Sequence, residues 1–222
     1  MERGDAIELF NAIIGSDLVE IATKQGQKIF HEKEVEGRIR RTLNKGWAGL
    51  TLEAYLGLPK NSRREPNAGS WELKQASLKI DKRTGEYKAK ETIQITMFDW
   101  KHVVDHPFEE SHVLHKIGRM VIAARLWVDK NETRSPLVIV RAADISLESP
   151  ETYNAIKEDY ENVREFVTRF GYDALKNKGL QRAGIKCHSI EQRTKGQKNS
   201  NTRAWYVKKP FVNVLLGLSN PS

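Results

Sequence analysis

The stretch WELKQASLKI, from Trp71 to Ile80, alternates between apolar and polar residues as a half-buried β-strand does. Side chains at positions i and i+2 of a strand share a face. Glu72 and Lys74 therefore point one way, and a carboxylate and an ammonium group on one face can meet the same phosphate. Turn residues from 81 to 85 and a second alternating stretch, from Tyr87 to Met97, predict that this strand continues into a hairpin.

Two more acidic residues precede this strand. Glu65 lies seven residues before Glu72, and Glu53 lies in a helix that we predict from Gly46 to Leu58. Hydrolysis of a phosphodiester uses a divalent ion to neutralise the scissile group and to lower the pKa of the attacking water. Mg²⁺ prefers oxygen ligands, including carboxylates. We therefore predict that Glu72 and one more acid hold Mg²⁺, and that Lys74 orients the nucleophile or stabilises developing charge.

The charge of the chain favours a polyanionic partner. Lys and Arg number 37 against 29 Asp and Glu, for a formal charge of +8. The segment from Lys176 to Lys209 contains ten basic residues and one acid, Glu191, so the excess is concentrated. Nucleic acid is the partner that such a distribution suggests most strongly. The single Cys187 excludes an internal disulfide, and no apolar run reaches bilayer length, so we expect a cytoplasmic protein without membrane insertion.

The remaining patterns predict one α/β domain over residues 1–222, with a DNA cleft between two lobes. The first lobe is the helical part from about 1 to 60, and the second, 61–222, holds the catalytic sheet and a C-terminal DNA-reading part. The further predicted elements are a helix at 111–119, strands at 120–128 and 136–143, a helix at 151–170, a polar loop at 191–202, a strand at 203–207 and a closing helix from 211.

Four sequence blocks carry a resemblance to a known family. They are Gly46-Trp-Ala-Gly-Leu-Thr-Leu-Glu53 with Leu56-Gly57, the segment from Gly69 to Lys74, the segment from Glu109 to Arg119, and Arg203-Ala-Trp-Tyr-Val-Lys-Lys-Pro-Phe211. In this order and spacing the chain resembles the MutH-type mismatch-repair endonuclease and the GATC-cutting type II restriction enzymes grouped with it. Both lie within the PD-(D/E)XK nuclease superfamily. The resemblance implies a restriction-endonuclease-like fold, with a central mixed sheet flanked by helices.

The resemblance also implies roles for individual residues. Glu53 becomes the helix acid of the active site, Glu72 the strand metal ligand, Lys74 the strand lysine and Lys116 a further active-site lysine. Glu65 stands where the family has an aspartate, seven residues before the strand glutamate. Glutamate can bind the same metal, but its longer side chain needs a retracted backbone. The predicted catalytic set is thus completed by Glu65, with Glu65 and Glu72 as metal ligands.

Residues for reading DNA are predicted mainly in the basic C-terminal region. Thr194, Lys195 and Gly196 are similar to the family's sequence-reading loop, and the alternative is a solvated surface loop. Glu91 could accept from a cytosine amino group or be a strand-edge charge. Tyr206 matches a tyrosine near the target adenine, although it could also be a core aromatic residue. Two basic residues complete the predicted DNA contacts, Arg203 and Lys208, of which Lys208 is expected on a phosphate.

Together these patterns predict a Mg²⁺-dependent type II restriction endonuclease that acts on double-stranded DNA at a short site containing GATC. The alternatives are a mismatch-repair nickase of hemimethylated GATC and a catalytically inactive DNA-binding effector module. We expect a monomer or weak homodimer on DNA. A cognate DNA methyltransferase is the expected genetic partner of a restriction enzyme.

Overall fold

The computed structural model describes residues 1–59, 66–145, 150–175, 180, 184–194 and 202–219. None of the helices in these ranges combines the length and apolar character needed to cross a membrane. In chain order the elements are α1 (Arg3–Asn11), α2 (Leu18–Lys24), β1 (Phe30–Val35), β2 (Arg38–Leu43), α3 (Trp47–Tyr55), β3 (Glu72–Ile80), β4 (Tyr87–Ala89), β5 (Ile93–Met97), α4 (Trp100–Asp105), a 3₁₀ turn (Phe108–Glu110), α5 (His112–Ile117), β6 (Met120–Leu126), β7 (Leu137–Ala143), α6 (Pro150–Phe170), β8 (Ile190–Thr194), β9 (Arg203–Val207) and α7 (Lys209–Leu215).

A mixed four-stranded sheet forms the centre, in the order β4-β3-β6-β7. β3 and β6 run parallel, with Glu72 beside Met120, and the two outer pairs are antiparallel. Both faces of β6 are buried, which explains why the run from Met120 to Ala124 is entirely apolar. The predicted mixed α/β architecture, with a central mixed sheet flanked by helices, is confirmed.

Two hydrophobic cores pack on the two faces of this sheet. Val121 and Ala123 point into a core shared with α1, α2 and α3, whose buried side chains include Phe10, Leu18 and Trp47. Ile122 and Ala124 point into a larger core, which contains residues of α4 to α7 and of the second sheet. The alternation of β6 therefore places the N-terminal helices on one side of the sheet and the later elements on the other.

The second sheet is antiparallel, in the order β5-β9-β8, and it corrects two predictions. The stretch from Tyr87 to Met97 is not one hairpin strand, because β4 pairs with β3 whereas β5 pairs with β9. The division follows Ala89, whose backbone N–H donates to the Asn213 side chain of α7. The predicted loop from 191 to 202 is also wrong at its start, where β8 pairs with β9 through Thr194.

The first 60 residues are not purely helical, because β1 and β2 form a two-stranded hairpin. Its turn is made by Glu36 and Gly37, which have φ angles of 53° and 71°. Two successive positive φ angles are typical of the type I′ turn that joins two-residue hairpins. The hairpin lies largely in solvent, so its strands lack the apolar alternation that reveals a half-buried strand in sequence.

Asp159 joins α6 to β8 through a buried network. Its carboxylate accepts hydrogen bonds from the backbone N–H groups of His188, Ser189 and Ile190 at 2.5–2.9 Å. It also accepts from the Ser189 hydroxyl at 2.6 Å. Asp159 is 2% exposed, so loss of the carboxylate would leave buried donors without acceptors, which is costly.

We predict that Asp159→Ala lowers the free energy of unfolding by about 3 kcal/mol, because buried donors lose a charged acceptor. Urea unfolding followed by circular dichroism measures this change. Glu158→Ala, at the exposed neighbouring position of α6, is the matched control and should change stability little. Equal stability of the two variants would show that the Asp159 network does not hold β8 on α6.

Candidate active site

Glu72 and Lys74, at the start of β3, lie together as their spacing predicts. The Lys74 ammonium lies 2.8 Å from Glu72 Oε1 and donates a second hydrogen bond, of 3.0 Å, to the Ile95 carbonyl of β5. Glu72 is only 4% exposed. The ion pair therefore lies where the central sheet meets the second sheet, largely removed from bulk water.

Lys116 reaches the same carboxylate from α5. Its ammonium lies 3.1 Å from Glu72 Oε2, and its side chain is also buried. The position follows from topology: α5 ends at Ile117, just before β6, and β6 runs parallel to β3. The backbone N–H of Glu72 donates to the Arg119 carbonyl at 2.9 Å, which fixes the end of α5 against the start of β3.

Glu53 reaches the same place from α3, which packs on the opposite face of the central sheet from α5. This helix is held against the central sheet by Trp47 and Leu52, both fully or almost fully buried. The Arg125 guanidinium lies over the Trp47 ring, 5.0 Å from its centroid, and forms a buried ion pair with Glu132. Because α3 is fixed in this way, the Glu53 carboxylate is carried to the amino end of β3.

Asn67 connects the two acids, and the sequence analysis missed it. Its side-chain Nδ2 donates to Glu53 Oε1 at 3.0 Å, and its backbone N–H donates to Glu72 Oε2 at 2.7 Å. The amide Oδ1 accepts from the Leu73 backbone N–H at 2.8 Å. A backbone N–H can only donate, so Oδ1 must face Leu73 and Nδ2 must face Glu53. The only sequence signal was the position of Asn67 between two acidic motifs.

Burial shifts the proton affinities of the site. Burial lowers the pKa of Lys74 below its usual value, although the Glu72 carboxylate opposes the change. Burial likewise raises the pKa of Glu53, with a smaller contribution from the nearby Glu72 charge, whereas the Asn67 hydrogen bond lowers it. Desolvation thus disfavours the charged forms of both groups, whereas the Glu72 carboxylate supports charged Lys74 and the Asn67 hydrogen bond supports charged Glu53.

Four of the five predicted catalytic residues converge: Glu53, Glu72, Lys74 and Lys116. The fifth, Glu65, lies outside the described residues. Within the described ranges, no group of three or more His, Cys, Asp or Glu side chains is placed to hold a metal ion. The oxygen donors of Glu53 and Glu72 nevertheless suit Mg²⁺, which takes one or two protein carboxylates and completes its shell with water and substrate phosphate.

Those predicted DNA-reading residues that the structure describes lie on or beside the second sheet. Tyr206 is half-buried on β9, and the Arg193 guanidinium lies 4.5 Å from its ring centroid. Arg193 also donates to the Thr92 hydroxyl, next to the exposed Glu91. These contacts place Glu91 and Tyr206 in one region, and the DNA contact of Tyr206 stays a prediction.

Thr194 is the one residue of the predicted reading loop that lies within the described part of the chain. Thr194 pairs with Arg203, whose guanidinium donates to Gln192 and Thr194 side chains. Lys195 and Gly196 lie outside the described residues. The Arg203 carbonyl accepts from the N–H of residue 98, three residues beyond Ile95, which contacts Lys74. Thr194 therefore lies about 10 Å along the strands from that contact and two strands across the sheet from it, about 14 Å away.

Lys208 has an internal role that the sequence did not indicate. Its ammonium donates to the Cys187 carbonyl, and its backbone N–H donates to the Ser189 carbonyl. It also stands at the start of α7. Lys208 thus fixes the segment that precedes β8, and the predicted phosphate contact stays a prediction.

Comparison with known proteins points to one family. The family model of the DNA mismatch repair enzyme MutH matches residues 56–159. The DNA mismatch repair protein MutH of Vibrio campbellii is 26% identical over 178 residues, which cover 78% of this chain and 71% of the relative. The protein of the same name from Yersinia enterocolitica is 28% identical over 159 residues, which cover 70% of this chain and 63% of the relative. The region matched by the family model includes Glu72, Lys74 and Lys116.

We predict that Asn67→Asp destabilises the protein in EDTA by about 1 to 3 kcal/mol, because a carboxylate oxygen would replace the donor that faces Glu53. Millimolar Mg²⁺ should recover the lost stability, since a cation can bridge the added carboxylate to Glu53 and Glu72. Thermal unfolding with and without Mg²⁺ measures both effects.

The control for this substitution is Asn154→Asp, at an exposed position of α6. It makes the same chemical change and should be neutral in both buffers. If Asn67→Asp unfolds in EDTA at the wild-type temperature, Asn67 does not hold the two acids together.

Proposed function

We propose that this chain, which is similar to the DNA mismatch repair protein MutH, is a Mg²⁺-dependent DNA endonuclease that cuts at a short site containing GATC. The observation that carries this proposal is the convergence on Glu72. Two ammonium groups, from Lys74 and Lys116, lie within 3.1 Å of its carboxylate, and Asn67 links it to Glu53. A buried cluster of two acids and two lysines suits the polarisation of a phosphate group.

Each residue has a distinct part in this proposal. Mg²⁺ bound at Glu72, with Glu65 or Glu53 as a second oxygen ligand, would lower the pKa of the attacking water and neutralise the scissile phosphate. Lys74, fixed by the Ile95 carbonyl, orients the nucleophile or stabilises charge that develops on the phosphate. Lys116 supplies a second positive charge from the opposite side of Glu72. Asn67 keeps Glu53 within reach of the same centre.

The summed charge of the four converging side chains supports a role for Glu65 in binding the metal. Glu53 and Glu72 contribute two negative charges, and Lys74 and Lys116 contribute two positive charges, so these four groups sum to zero. A neutral cluster attracts a divalent cation weakly. A third acid would make the site negative before DNA arrives, which favours Glu65 as a metal ligand beside Glu72.

Within this activity we propose a type II restriction enzyme, acting in the cytoplasm as a monomer or a weak homodimer on DNA. Two sequence features support it: Glu65 replaces the family aspartate, and Lys195, followed by Gly196 in the predicted reading loop, would donate to guanine. A neighbouring DNA methyltransferase gene would be its natural genetic partner.

Two alternatives each rest on one observation. The relatives are mismatch repair proteins, which favours a nickase acting on one strand of hemimethylated GATC. Glu65, which stands where the family has an aspartate, favours a DNA-binding module without cleavage. Sequencing the ends of cut plasmid separates a double-strand cut from a nick, and an uncut but bound plasmid identifies the inactive module.

We predict that Glu72→Ala and Lys74→Ala each lower the cleavage rate by about three orders of magnitude or more, because each removes a group that acts on the scissile phosphate. DNA binding should remain largely intact. A plasmid cleavage assay with Mg²⁺, together with fluorescence anisotropy of a labelled duplex in EDTA, measures the two effects.

Lys79→Ala is the matched control, because Lys79 lies on the same strand but is exposed near its far end. It should cut DNA at the wild-type rate. Full cleavage by Glu72→Ala or by Lys74→Ala would show that the substituted residue is not needed for the reaction.

A further inference from the structure

The β1–β2 hairpin is an ordered but exposed arm. All positions from His31 to Thr42 are exposed except the half-buried Val35. Its six paired positions and its type I′ turn at Glu36 and Gly37 define the register without support from a core. Such an arm adds little to the packing of the protein, so the distribution of its side chains reflects what it meets in solution.

The two faces of the hairpin differ in charge. Residues directly opposite each other in an antiparallel pair share a face, and the faces alternate along each strand. One face, here called the basic face, carries only positive charge; its members are His31, Lys33, Val35, Arg38, Arg40 and Thr42. The other face carries Glu32, Glu34 and Arg41 among apolar residues. On that face Arg41 pairs with Glu32 at 3.3 Å and lies over the Phe30 ring.

The basic face contains an unfavourable arrangement for an isolated protein. Lys33 and Arg40 stand directly opposite each other, and like charges in that position destabilise a strand pair. Neither residue, nor Arg38, has an ion-pair partner among the described residues. An anion lying across this face would relieve the repulsion. The row of exposed cations along one side suits a polyanion better than a single small ion.

The base of the hairpin leads directly into the helix that carries Glu53. The Asn44 side chain donates to the Lys28 carbonyl at 2.9 Å and closes the base of the arm, and α3 starts at Trp47. Glu53 is six residues into α3, about 9 Å along the helix axis. Each strand of the arm is about 20 Å long, comparable to six base-pair steps of duplex DNA. A duplex at the active site therefore has backbone within reach of the arm.

We propose that the basic face of the β1–β2 hairpin binds the phosphate backbone of duplex DNA beside the cleavage site. The inference rests on the proposed function, which makes DNA the substrate. Lys33, Arg38 and Arg40 contact phosphates without reading bases, so they raise affinity for every sequence and hold the duplex against the active site. The chain thus has a DNA contact in its N-terminal part, separate from the basic C-terminal region.

The test compares two triple variants of the full chain. The first removes the basic face: Lys33→Ala, Arg38→Ala and Arg40→Ala. The second removes three exposed cations from the far end of the central sheet, about 25 Å from Glu72 along β3: Lys82→Ala, Arg83→Ala and Lys130→Ala. Both lower the net charge equally. Affinity for cognate and random duplexes is measured in EDTA across a KCl series, so cleavage does not enter the readout.

We expect the basic-face variant to bind both duplexes about ten-fold or more weakly and to flatten the slope of log affinity against log salt by about 2 to 3 units, one for each lost phosphate contact. The far-end variant should bind like the wild type. The basic-face variant should unfold at the wild-type temperature or higher, because a repulsive pair is gone. Arg40→Glu, which places opposite charges across the hairpin, should keep the fold and still weaken binding.

Three results would overturn the inference. The first is wild-type affinity and salt slope in the basic-face variant. The second is an equal loss in the far-end variant, which would reveal an effect of net charge alone. The third is unchanged DNA binding together with lost binding to phosphatidylserine vesicles, which would assign the face to a membrane surface. A wild-type protein that binds no duplex would overturn the proposed function as well, whereas binding without cutting would overturn the hydrolysis alone.

Discussion

The buried carboxylate of Glu72 is the constraint on which the arrangement of the site depends. Burying an unpaired carboxylate costs several kcal/mol, so a position that is 4% exposed requires partners. Lys74, Lys116 and the backbone N–H of Asn67 supply them. Each comes from a different part of the chain, and the need to satisfy one acid therefore brings β3, α5 and the segment before β3 to one point.

The sheet topology makes this convergence possible. Because β3 and β6 are parallel neighbours, the end of α5 lies beside the start of β3 and Lys116 needs no long reach. The second sheet is joined to the same place by the Lys74 contact with the Ile95 carbonyl. β5 therefore contacts the active-site lysine and also pairs with β9 of the second sheet.

The pair of site residues that lies on one strand could be predicted from sequence, because strand alternation alone places Glu72 and Lys74 on the same face. The strand β6 and the long helix α6 could also be predicted, because their buried residues leave a hydrophobic pattern in the sequence. Glu53 was noted as an acid on the preceding helix, but its active-site role and that of Lys116 came from the family resemblance. Nothing local shows that a helix will carry a lysine or an acid to a distant strand. Asn67 was missed since its role depends on three contacts that exist only after folding.

Prediction from sequence failed for elements whose pairing is set by contacts with distant parts of the chain or that have no hydrophobic periodicity. The division of Tyr87–Met97 between two sheets depends on Asn213, which is more than 120 residues away. The β1–β2 hairpin was missed because it has no buried face and hence no hydrophobic period. Its charge segregation becomes visible only when the register pairs Lys33 with Arg40.

The most direct test of a metal-dependent site at Glu72 is the single-turnover cleavage of GATC-containing plasmid by the wild-type protein across a Mg²⁺ titration. We expect no cutting in EDTA, a cleavage rate that rises with Mg²⁺ to a plateau, and DNA ends that map to GATC. Plasmid that stays bound and intact at every Mg²⁺ concentration, or cutting that EDTA does not stop, would contradict it.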